Sequence, residues 1–289
     1  MKKVIITGSS SGFGYLIALT LARNGFKVWA TMRDSNGKNR KTKEKLESLA
    51  IEEQLALKVA ELDITSDLSV RQLFDQVLKE DAGIDILINN AGVMYVGITE
   101  AYSLEQVQDQ FDTNFYGVVR TSKTFLPMLK KSKDGLIINI SSLAGRLIFP
   151  YFGIYCASKF ALEAYSESLK YELKPLGVDV TVLEPGPFPT NLLHSGPKEE
   201  DTKALETYWK MGSTPEAMLQ NFGEFFKSED APNPQEIADS VLEVIEITKG
   251  LRPIRKVTGI DYGTIELNKK IAPIQENHIK YNLEMDHLI

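Results

Sequence analysis

Short apolar runs alternate with segments of helical periodicity along most of this chain. The runs are rich in Val and Ile, as is typical of buried strands, and the segments between them repeat apolar residues every three or four positions. This alternation predicts an α/β fold with a parallel, doubly wound sheet, helices on both faces, and ligands bound beyond the carboxyl ends of the strands. Strands are predicted at residues 4–7, 26–32, 55–62, 84–88, 136–140, 178–183 and 253–258, and helices up to about residue 24, at 66–80, at 103–131, from 155 onward and at 235–248.

Length and composition predict a single domain over residues 1–289. The chain is 43% hydrophobic, which is enough for one large core, and no linker rich in Pro, Gly or Ser divides it. The net charge of -6 argues against nucleic acid or an anionic membrane as the main partner.

Cysteine and histidine usage limits the compartment and the cofactor class. A single cysteine excludes an internal disulfide, and the N-terminal apolar run is too short for a secretion signal or a membrane span. We therefore expect a cytoplasmic protein with no integral membrane segment. The three histidines show no metal-ligand spacing, so no metal site is predicted.

A glycine-rich turn follows the first predicted strand and leads into a helix. A strand, a glycine turn and a helix N-terminus form a pyrophosphate site, because glycine lets the backbone approach and unpaired N–H groups face the anion. A tight turn that merely needs glycine is the alternative. The predicted cofactor-binding residues in this turn are Gly8, Ser9, Ser11, Gly12, Phe13 and Gly14.

The end of the second strand bears on the choice of cofactor. In a dinucleotide fold an acidic residue here binds the adenosine ribose, whereas an arginine can pair with a 2′-phosphate. This chain has Met32 and then Arg33, which favours NADP over NAD, although Asp34 follows directly.

Three later strand ends carry further candidate cofactor contacts. Asp63, before Ile64, can meet the adenine amino group or cap its own turn. Small and amide side chains after the fourth strand suit a loop beside a cofactor, and the prolines after the sixth strand make a stiff extended loop. The predicted contacts in these two loops are Asn90, Ala91, Gly92, Pro185, Gly186, Phe188 and Thr190.

A phenol and an ammonium at helical spacing form the candidate catalytic centre. Tyr155 and Lys159 are four residues apart, so they share one face of the predicted helix. A neighbouring ammonium is expected to lower the pKa of the phenol, which would suit proton exchange with an alcohol oxygen. Ser142 at the end of the preceding strand can hold that oxygen, with Ser141 as its rival, because strand alternation directs only one of them inward.

Asn114 lies in the middle of the long helix predicted at 103–131. Asparagine inside a helix competes with the backbone for hydrogen bonds. Its side chain is therefore expected either to be exposed or to open the helix toward a water beside Lys159.

These motifs, in this order and spacing, resemble those of the short-chain dehydrogenase/reductase family, over residues 1 to about 190. The matching motifs are Thr7-Gly-x-x-x-Gly12-x-Gly14, Asn89-Asn90-Ala91-Gly92, Asn114, Ser142, Tyr155-x-x-x-Lys159 and Pro185-Gly186-x-x-x-Thr190. The resemblance implies a Rossmann-type fold and an NADP-dependent oxidoreductase. It also selects Ser142 over Ser141, because Ser142 has the thirteen-residue separation from Tyr155.

The resemblance implies a role for each matching residue. Tyr155 would be the general acid/base, Lys159 would lower its pKa and bind the nicotinamide ribose, Ser142 would orient the substrate oxygen, and Asn114 would anchor a proton-relay water. Thr190 would contact the carboxamide. Phe188 departs from the pattern, because a small branched residue is usual there.

The substrate is expected to be a hydrophobic ketone, aldehyde or secondary alcohol. Apolar residues flank the catalytic motifs, and the resemblance makes residues 191–232 a substrate lid, with an amphipathic helix pair packed on the body as the alternative. Hydroxysteroid and retinol dehydrogenases are the most similar members. The predicted pocket wall comprises Val93, Met94, Tyr95, Ser142, Leu143, Phe149, Phe152, Tyr155 and Phe188, and the lid carries Tyr208, Trp209, Met211, Met218, Leu219, Phe222, Phe225 and Phe226.

Assembly and the C-terminal tail leave alternatives open. Members of that family often form homodimers or homotetramers through the helices that bear Asn114 and Tyr155. The small residues Ala157, Ala161 and Ala164 permit such packing but are equally compatible with packing on the sheet. The tail at 260–289 can pack on its own body or on a partner.

Two alternative functions are compatible with the same fold: a non-catalytic cofactor sensor, and an isomerase or dehydratase.

Overall fold

The computed structural model describes residues 1–209 and 215–289 and confirms the predicted parallel α/β sheet. Met211 and the side chain of Trp209, both expected on the lid, lie outside the described residues. The strands of the described part are β1 (Lys3–Ile6), β2 (Lys27–Met32), β3 (Leu57–Glu61), β4 (Ile86–Asn89), β5 (Gly135–Ile140), β6 (Val178–Pro185) and β7 (Arg255–Thr258). They are paired in parallel in the order β3-β2-β1-β4-β5-β6-β7.

The strand order reverses at β1, which lies between β2 and β4. In open α/β sheets, ligands bind in the crevice outside the carboxyl ends of the strands at such a point. The glycine turn after β1 and the Asn-Ala-Gly loop after β4 therefore face each other across this crevice.

Helices cover both faces of the sheet. They are α1 (Gly12–Arg23), α2 (Arg40–Glu52), α3 (Asp67–Asp81), α4 (Leu104–Phe111), α5 (Gly117–Leu129), α6 (Gly153–Leu173), α7 (Thr202–Trp209), α8 (Pro215–Phe225), α9 (Gln235–Glu246) and α10 (Thr264–Asn277). Side chains alternate along each strand, so Val4 and Ile6 pack with α1, α2 and α9, whereas Ile5 packs with α3, α5 and α6. The single core predicted from the sequence is thus a sheet between two helical layers.

Two helical segments differ from the prediction. The helix expected at 103–131 is interrupted by a π-helical turn, Asp112–Tyr116, between α4 and α5. The segment expected as a C-terminal tail contains a helix, α10, which includes Ile271 and continues through Pro273.

The face of α6 that points away from the sheet carries small and aromatic residues. Ala157 and Ala164 are exposed, and Phe160 is 38% exposed. The alternative prediction, in which these residues pack on the sheet, is therefore wrong for Ala157 and Ala164.

Over residues 1–209 and 215–289, no helix is long and apolar enough to cross a bilayer. The same residues contain no cluster of three His, Cys, Asp or Glu able to hold a metal ion.

Candidate active site

A cavity of about 750 Å³ opens beyond the carboxyl ends of β1 to β6. Its wall contains predicted cofactor contacts from every one of these strand ends: Gly8, Ser11, Gly12, Phe13, Arg33, Asp63, Ile64, Asn90, Ala91, Gly92, Tyr155, Lys159, Pro185, Gly186, Phe188 and Thr190. The predicted substrate contacts also line it: Met94, Ser142, Leu143, Phe149, Phe152, Tyr155 and Phe188.

The glycine turn and the loop after β4 are joined by hydrogen bonds. Thr7 Oγ1 accepts from the backbone N–H groups of Asn90 and Ala91, both at 3.0 Å. Asn90 Nδ2 donates to the carbonyl oxygens of Thr7 and Gly8 at 2.9 and 3.1 Å. A Cβ at Gly8, whose φ is +72°, would lie 2.8 Å from the Ala91 Cα, so only glycine fits between the loops.

Gly12 leaves room for an anion at the start of α1. A Cβ at Gly12 would meet only the Thr190 side chain, at 3.8 Å, and would project into the cavity. Ser11, the residue before α1, makes no side-chain cap hydrogen bond to the first turn. The first N–H groups of the helix and its dipole thus face the cavity, which fits a dinucleotide pyrophosphate.

Ser9 and Gly14 shape this turn from behind the cavity wall. Ser9 is fully buried, with its N–H donating to the Thr31 carbonyl at 2.8 Å. A Cβ at Gly14 would lie 2.3 Å from the Gly8 carbonyl oxygen. Both residues were predicted to contact the cofactor directly, but neither lines the cavity. They support the glycine turn from behind.

Arg33 lies at one end of the cavity together with Lys38. Asp34, the counter-indication to NADP, turns its carboxylate into its own loop. Asp34 Oδ2 accepts from the Lys38 N–H at 2.8 Å, and Oδ1 fills the space beside Gly37. The carboxylate is thus engaged locally, and two basic side chains, Arg33 and Lys38, line this end of the cavity.

Asp63 both caps its turn and lines the cavity. Its Oδ1 accepts from the Thr65 N–H at 2.9 Å and from the Thr65 hydroxyl at 2.7 Å. The capping alternative therefore describes what this carboxylate does within the chain, and Asp63 and Ile64 still border the cavity beside Arg33.

Tyr155 and Lys159 lie on the cavity floor, one turn apart on α6. The exposed fractions are 3% for Tyr155 and 5% for Lys159. Lys159 Nζ donates to the carbonyl of Ile140, the last residue of β5, at 2.8 Å. Ser142, two residues later, accepts from the Ala144 N–H at 3.1 Å, so the end of β5 fixes both the serine and the lysine.

Burial dominates the pKa values of this pair. Burial raises the pKa of the Tyr155 phenol, and a hydrogen bond with Ser142 opposes the shift. Burial lowers the pKa of Lys159 to about 8, opposed by the charge of Glu163. The expected lowering of the Tyr155 pKa is therefore wrong for this structure, because desolvation outweighs an ammonium that lies 5.8 Å from the ring centroid and donates to Ile140.

Asn114 lies in the π-helical turn and is 1% exposed. Its Oδ1 accepts from the Val93 N–H at 2.9 Å, and its Nδ2 donates to the Val93 carbonyl at 2.9 Å and to Ser158 Oγ at 3.1 Å. The helix does open at this residue, but the side chain binds the loop after β4 instead of facing solvent. Asn114 thereby fixes that loop against the catalytic helix, just behind the cavity wall.

The substrate end of the cavity is apolar and aromatic. Phe152 packs against Tyr155, Phe149 and Phe222 with ring centroids 6.1 to 6.4 Å apart. Phe188 packs edge-on against Phe13 at 5.5 Å, so the large side chain is accommodated under the glycine turn.

Sequence reasoning placed Tyr95 wrongly and missed several wall residues. Tyr95 is buried against Tyr102 and does not line the cavity, because its strand-end loop turns it toward α4. The additional wall residues include Lys38, Leu192, Leu193, His194, Ser195 and Tyr262. The apolar pair Leu192-Leu193, which begins two residues after Thr190, is a signal that could have identified the first contacts of the proposed lid, whereas Tyr262 follows β7 without any motif.

A profile described as short chain dehydrogenase matches residues 2–201, more than half of the chain. The chain belongs to the short-chain dehydrogenase family. The matched residues contain the glycine turn, Asn114, Ser142, Tyr155 and Lys159, so the family assignment and the geometry of the cavity rest on the same segment.

Curated relatives of this short-chain dehydrogenase cover most of its length. It is 38% identical to a 3-ketodihydrosphingosine reductase of Bacteroides thetaiotaomicron over 71% of each chain. It is 35% identical to human retinol dehydrogenase 8, over 93% of this chain and 85% of the relative. These relatives are oxidoreductases by name.

A solved relative gives the same fold for this short-chain dehydrogenase. An archaeal alcohol dehydrogenase from Thermococcus sibiricus, determined with 5-hydroxy-NADP, has a TM-score of 0.71 and 26% identity, covering 89% of this chain and 96% of its own. Similar structures hold NAD-type as well as NADP-type cofactors. Membership of the family thus indicates an oxidoreductase.

Proposed function

We propose that this enzyme transfers a hydride between NADP(H) and a hydrophobic ketone, aldehyde or secondary alcohol. The observation that carries the proposal is one continuous cavity, with the glycine turn at one end, Tyr155 and Lys159 on its floor, and aromatic side chains at the other end. When bound, the nicotinamide supplies or accepts the hydride.

The chain's own residues bind, orient and move a proton. The glycine turn and the N-terminus of α1 hold the pyrophosphate, and Thr190 and Lys159 fix the nicotinamide side. Ser142 orients the substrate oxygen, and Tyr155 passes the proton to that oxygen or takes it away. Such proton transfer contributes about 10²- to 10⁴-fold to the rate.

The raised pKa of Tyr155 supports its role as general acid in carbonyl reduction, because the phenol keeps its proton at neutral pH. The pair Arg33 and Lys38 supports NADP, because a 2′-phosphate adds charge for both to bind.

The apolar wall and the names of two relatives support a bulky apolar substrate. Phe149 and Phe152 form one hydrophobic cluster with Tyr155 and with Leu193 and Phe222 of the segment proposed as the lid. The names 3-ketodihydrosphingosine reductase and retinol dehydrogenase both denote substrates with long apolar parts.

A substrate panel tests this proposal. NADPH and NADH oxidation is measured with long-chain, polycyclic, small polar and sugar carbonyls. The proposal predicts turnover with the apolar classes and a preference for NADPH. Turnover confined to sugars or small polar ketones would reject the apolar pocket, and product formation without any change in nicotinamide absorbance would favour an isomerase or dehydratase.

Two properties of the protein in the cell form part of the proposal. The face of α6 that carries Ala157, Phe160 and Ala164 is exposed, which supports a homodimer or homotetramer. Sedimentation of the wild type and of Phe160→Glu would test this assembly.

The single cysteine, which is buried, supports a cytoplasmic location, testable by cell fractionation.

A further inference from the structure

A buried cluster of charged side chains lies behind the catalytic helix, away from the cavity wall. It joins α6, β6, β7, α10 and the loop after Ser142. Its members are Arg146, Glu163, Glu167, Glu184, Arg255 and Asn268. None of these residues has a role in the proposed hydride transfer, although Glu163 is only one helical turn from Lys159.

Arg255 organises the cluster. Its Nε donates to Glu163 Oε2 at 2.9 Å, and its Nη2 donates to Glu167 Oε2 at 2.8 Å. The same Nε lies 3.5 Å from Glu184 Oε1, and Asn268 Nδ2 donates to Glu184 Oε2 at 2.6 Å. Glu163 and Glu184 are 2% and 0% exposed, so both carboxyl groups lie out of water beside Arg255, with Arg146 Nε 3.9 Å from Glu184 Oε1.

Glu163 reaches the immediate surroundings of the catalytic pair. A Cβ at Gly145 would lie 2.8 Å from Glu163 Cγ, 2.8 Å from Ser141 Oγ and 3.2 Å from the carbonyl oxygen of Lys159. The side chain of Glu163 therefore fills a space bounded by the catalytic-serine loop and the turn of α6 that carries Lys159. Only glycine at position 145 leaves room for the Glu163 side chain in that space.

We propose that Glu163, held by Arg255, is a positioning residue that keeps Lys159 in its charged form for the reaction. This inference rests on the proposed function, which requires an ammonium at position 159. It assigns to Glu163 an action on Lys159 alone and no contact with substrate or cofactor.

Lys159 needs such a partner because its own position disfavours charge. It is 5% exposed, and the hydrogen bond acceptor given by its surroundings is the neutral carbonyl of Ile140. Burying an ammonium without a counter-charge is costly. Burial accordingly lowers its pKa, and the charge of Glu163 acts in the opposite direction.

Glu163 and Glu184 differ in their contact with Arg255. Arg255 Nε donates to Glu163 at 2.9 Å but lies 3.5 Å from Glu184, so the geometry favours Glu163 as the charged member of the pair. Burial raises the pKa of Glu184 to about 8, and the charge of Glu163 adds to that shift. Burial also raises the pKa of Glu163, opposed by the charge of Arg255 and by hydrogen bonds from Ser141 and Arg255.

The groups that face Glu163 and Lys159 come from every element packed against them. They are Tyr155 and Glu167 on α6, Ser141 and Arg146 after β5, Glu184 on β6, Arg255 on β7 and Asn268 on α10. Glu167 offers a matched control, because it binds the same guanidinium but lies a further turn away from Lys159.

The direct test is an NMR titration of Lys159 in protein with ¹³C-labelled lysine. The signal is assigned as the one lost in Lys159→Arg. We expect a titration midpoint near pH 8 in the wild type, a midpoint lower by about one unit or more in Glu163→Gln, and no change in Glu167→Gln. Glu163→Asp keeps the charge and is expected to keep the midpoint. An unchanged midpoint in Glu163→Gln would overturn the proposal.

The pH profile of alcohol oxidation gives the functional reading. Loss of the Glu163 charge is expected to move the alkaline limb of kcat/KM, at which Lys159 loses its proton, to lower pH. A merely structural role would instead lower kcat equally at all pH values, and that result would reject the inference. Full turnover by Tyr155→Phe would reject the proposed function while leaving the NMR result interpretable.

Discussion

At the scale of single residues, burial decides the chemistry of the site more than the sequence motif does. Tyr155 and Lys159 could be identified from their spacing, because four residues on a helix bring two side chains to one face. The direction of the Tyr155 pKa shift could not, because it depends on Phe152 and the lid, which remove the phenol from water. Desolvation is a property of the folded chain and leaves no mark on the motif.

Arg33 provides the prediction on cofactor choice. Replacing Arg33 by Ala removes a charge-assisted contact to a 2′-phosphate, worth roughly 1.5–3 kcal/mol. We expect kcat/KM with NADPH to fall by about 10- to 100-fold, while the value with NADH stays unchanged. Arg23→Ala is the control, because Arg23 is a surface residue that pairs with Glu53. A wild type that uses NADH far better than NADPH would contradict the assignment.

At the scale of elements, the start of the proposed lid is fastened to α4 and to the loop between β4 and α4. Met94 N–H donates to Ser195 Oγ at 2.9 Å, and Gln106 Nε2 donates to the Lys198 carbonyl at 2.8 Å. Glu199 Oε1 accepts from the Ile98 N–H at 2.8 Å. These bonds hold residues 195–199 in place, with Ser195 lining the cavity.

Removal of the Glu199 carboxylate is predicted to loosen this fastening. Glu199→Ala leaves the Ile98 N–H without its partner, a loss of about 1 kcal/mol. We expect KM for an apolar substrate to rise about fivefold, with the dissociation constant for NADPH unchanged, as measured by steady-state kinetics and fluorescence titration.

Glu200→Ala is the matched control for the lid. Within the described part of the chain, Glu200 contributes its backbone N–H to Ala101, and no hydrogen bond from its carboxylate is seen. Equal KM values for the two variants would show that the fastening does not shape substrate binding.

Most strands and helices could be predicted from periodicity, and the exceptions have a tertiary cause. The strand predicted at 26–32 is Lys27–Met32 in the structure. The helix predicted at 103–131 is interrupted because Asn114 bonds to Val93, which lies in a loop twenty-one residues earlier. A pairing between distant segments has no periodic signature within either segment.

At the scale of the whole molecule, the buried charged cluster ties the C-terminal third of the chain to the catalytic helix. The alternation of strands and helices was sufficient to predict the sheet and the edge at which the cavity opens. The cluster was not predictable, because Glu163, Glu184, Arg255 and Asn268 come from four separate elements and each is an ordinary charged or polar residue in the sequence.

The cluster predicts how stability depends on pH. The folded-state pKa of Glu184 is about 8, above its ordinary value of 4.5. The folded chain therefore binds more protons than the unfolded chain between these values, and the free energy of unfolding falls as pH rises through that window. In Glu184→Gln this fall is expected to be smaller, as measured by chemical denaturation from pH 5 to 8.

A surface carboxylate serves as the control for the stability prediction. Glu243 pairs with Lys256 and has a side chain that is 62% exposed. Glu243→Gln is therefore expected to keep the wild-type dependence on pH. The same dependence in Glu184→Gln as in the wild type would contradict the raised pKa.

Deuterium transfer from NADPH to product tests the proposed reaction most directly. NADPH deuterated at C4, on each face in separate reactions, is supplied with an apolar ketone, and the product is analysed by mass spectrometry. We predict one deuterium on the carbonyl carbon from one of the two faces. We also predict a rate at least about 100-fold lower in Tyr155→Phe and near wild-type in Tyr165→Phe, which removes a hydroxyl elsewhere on α6. An unlabelled product, or an undiminished rate in Tyr155→Phe, would contradict hydride transfer with Tyr155 as the proton donor.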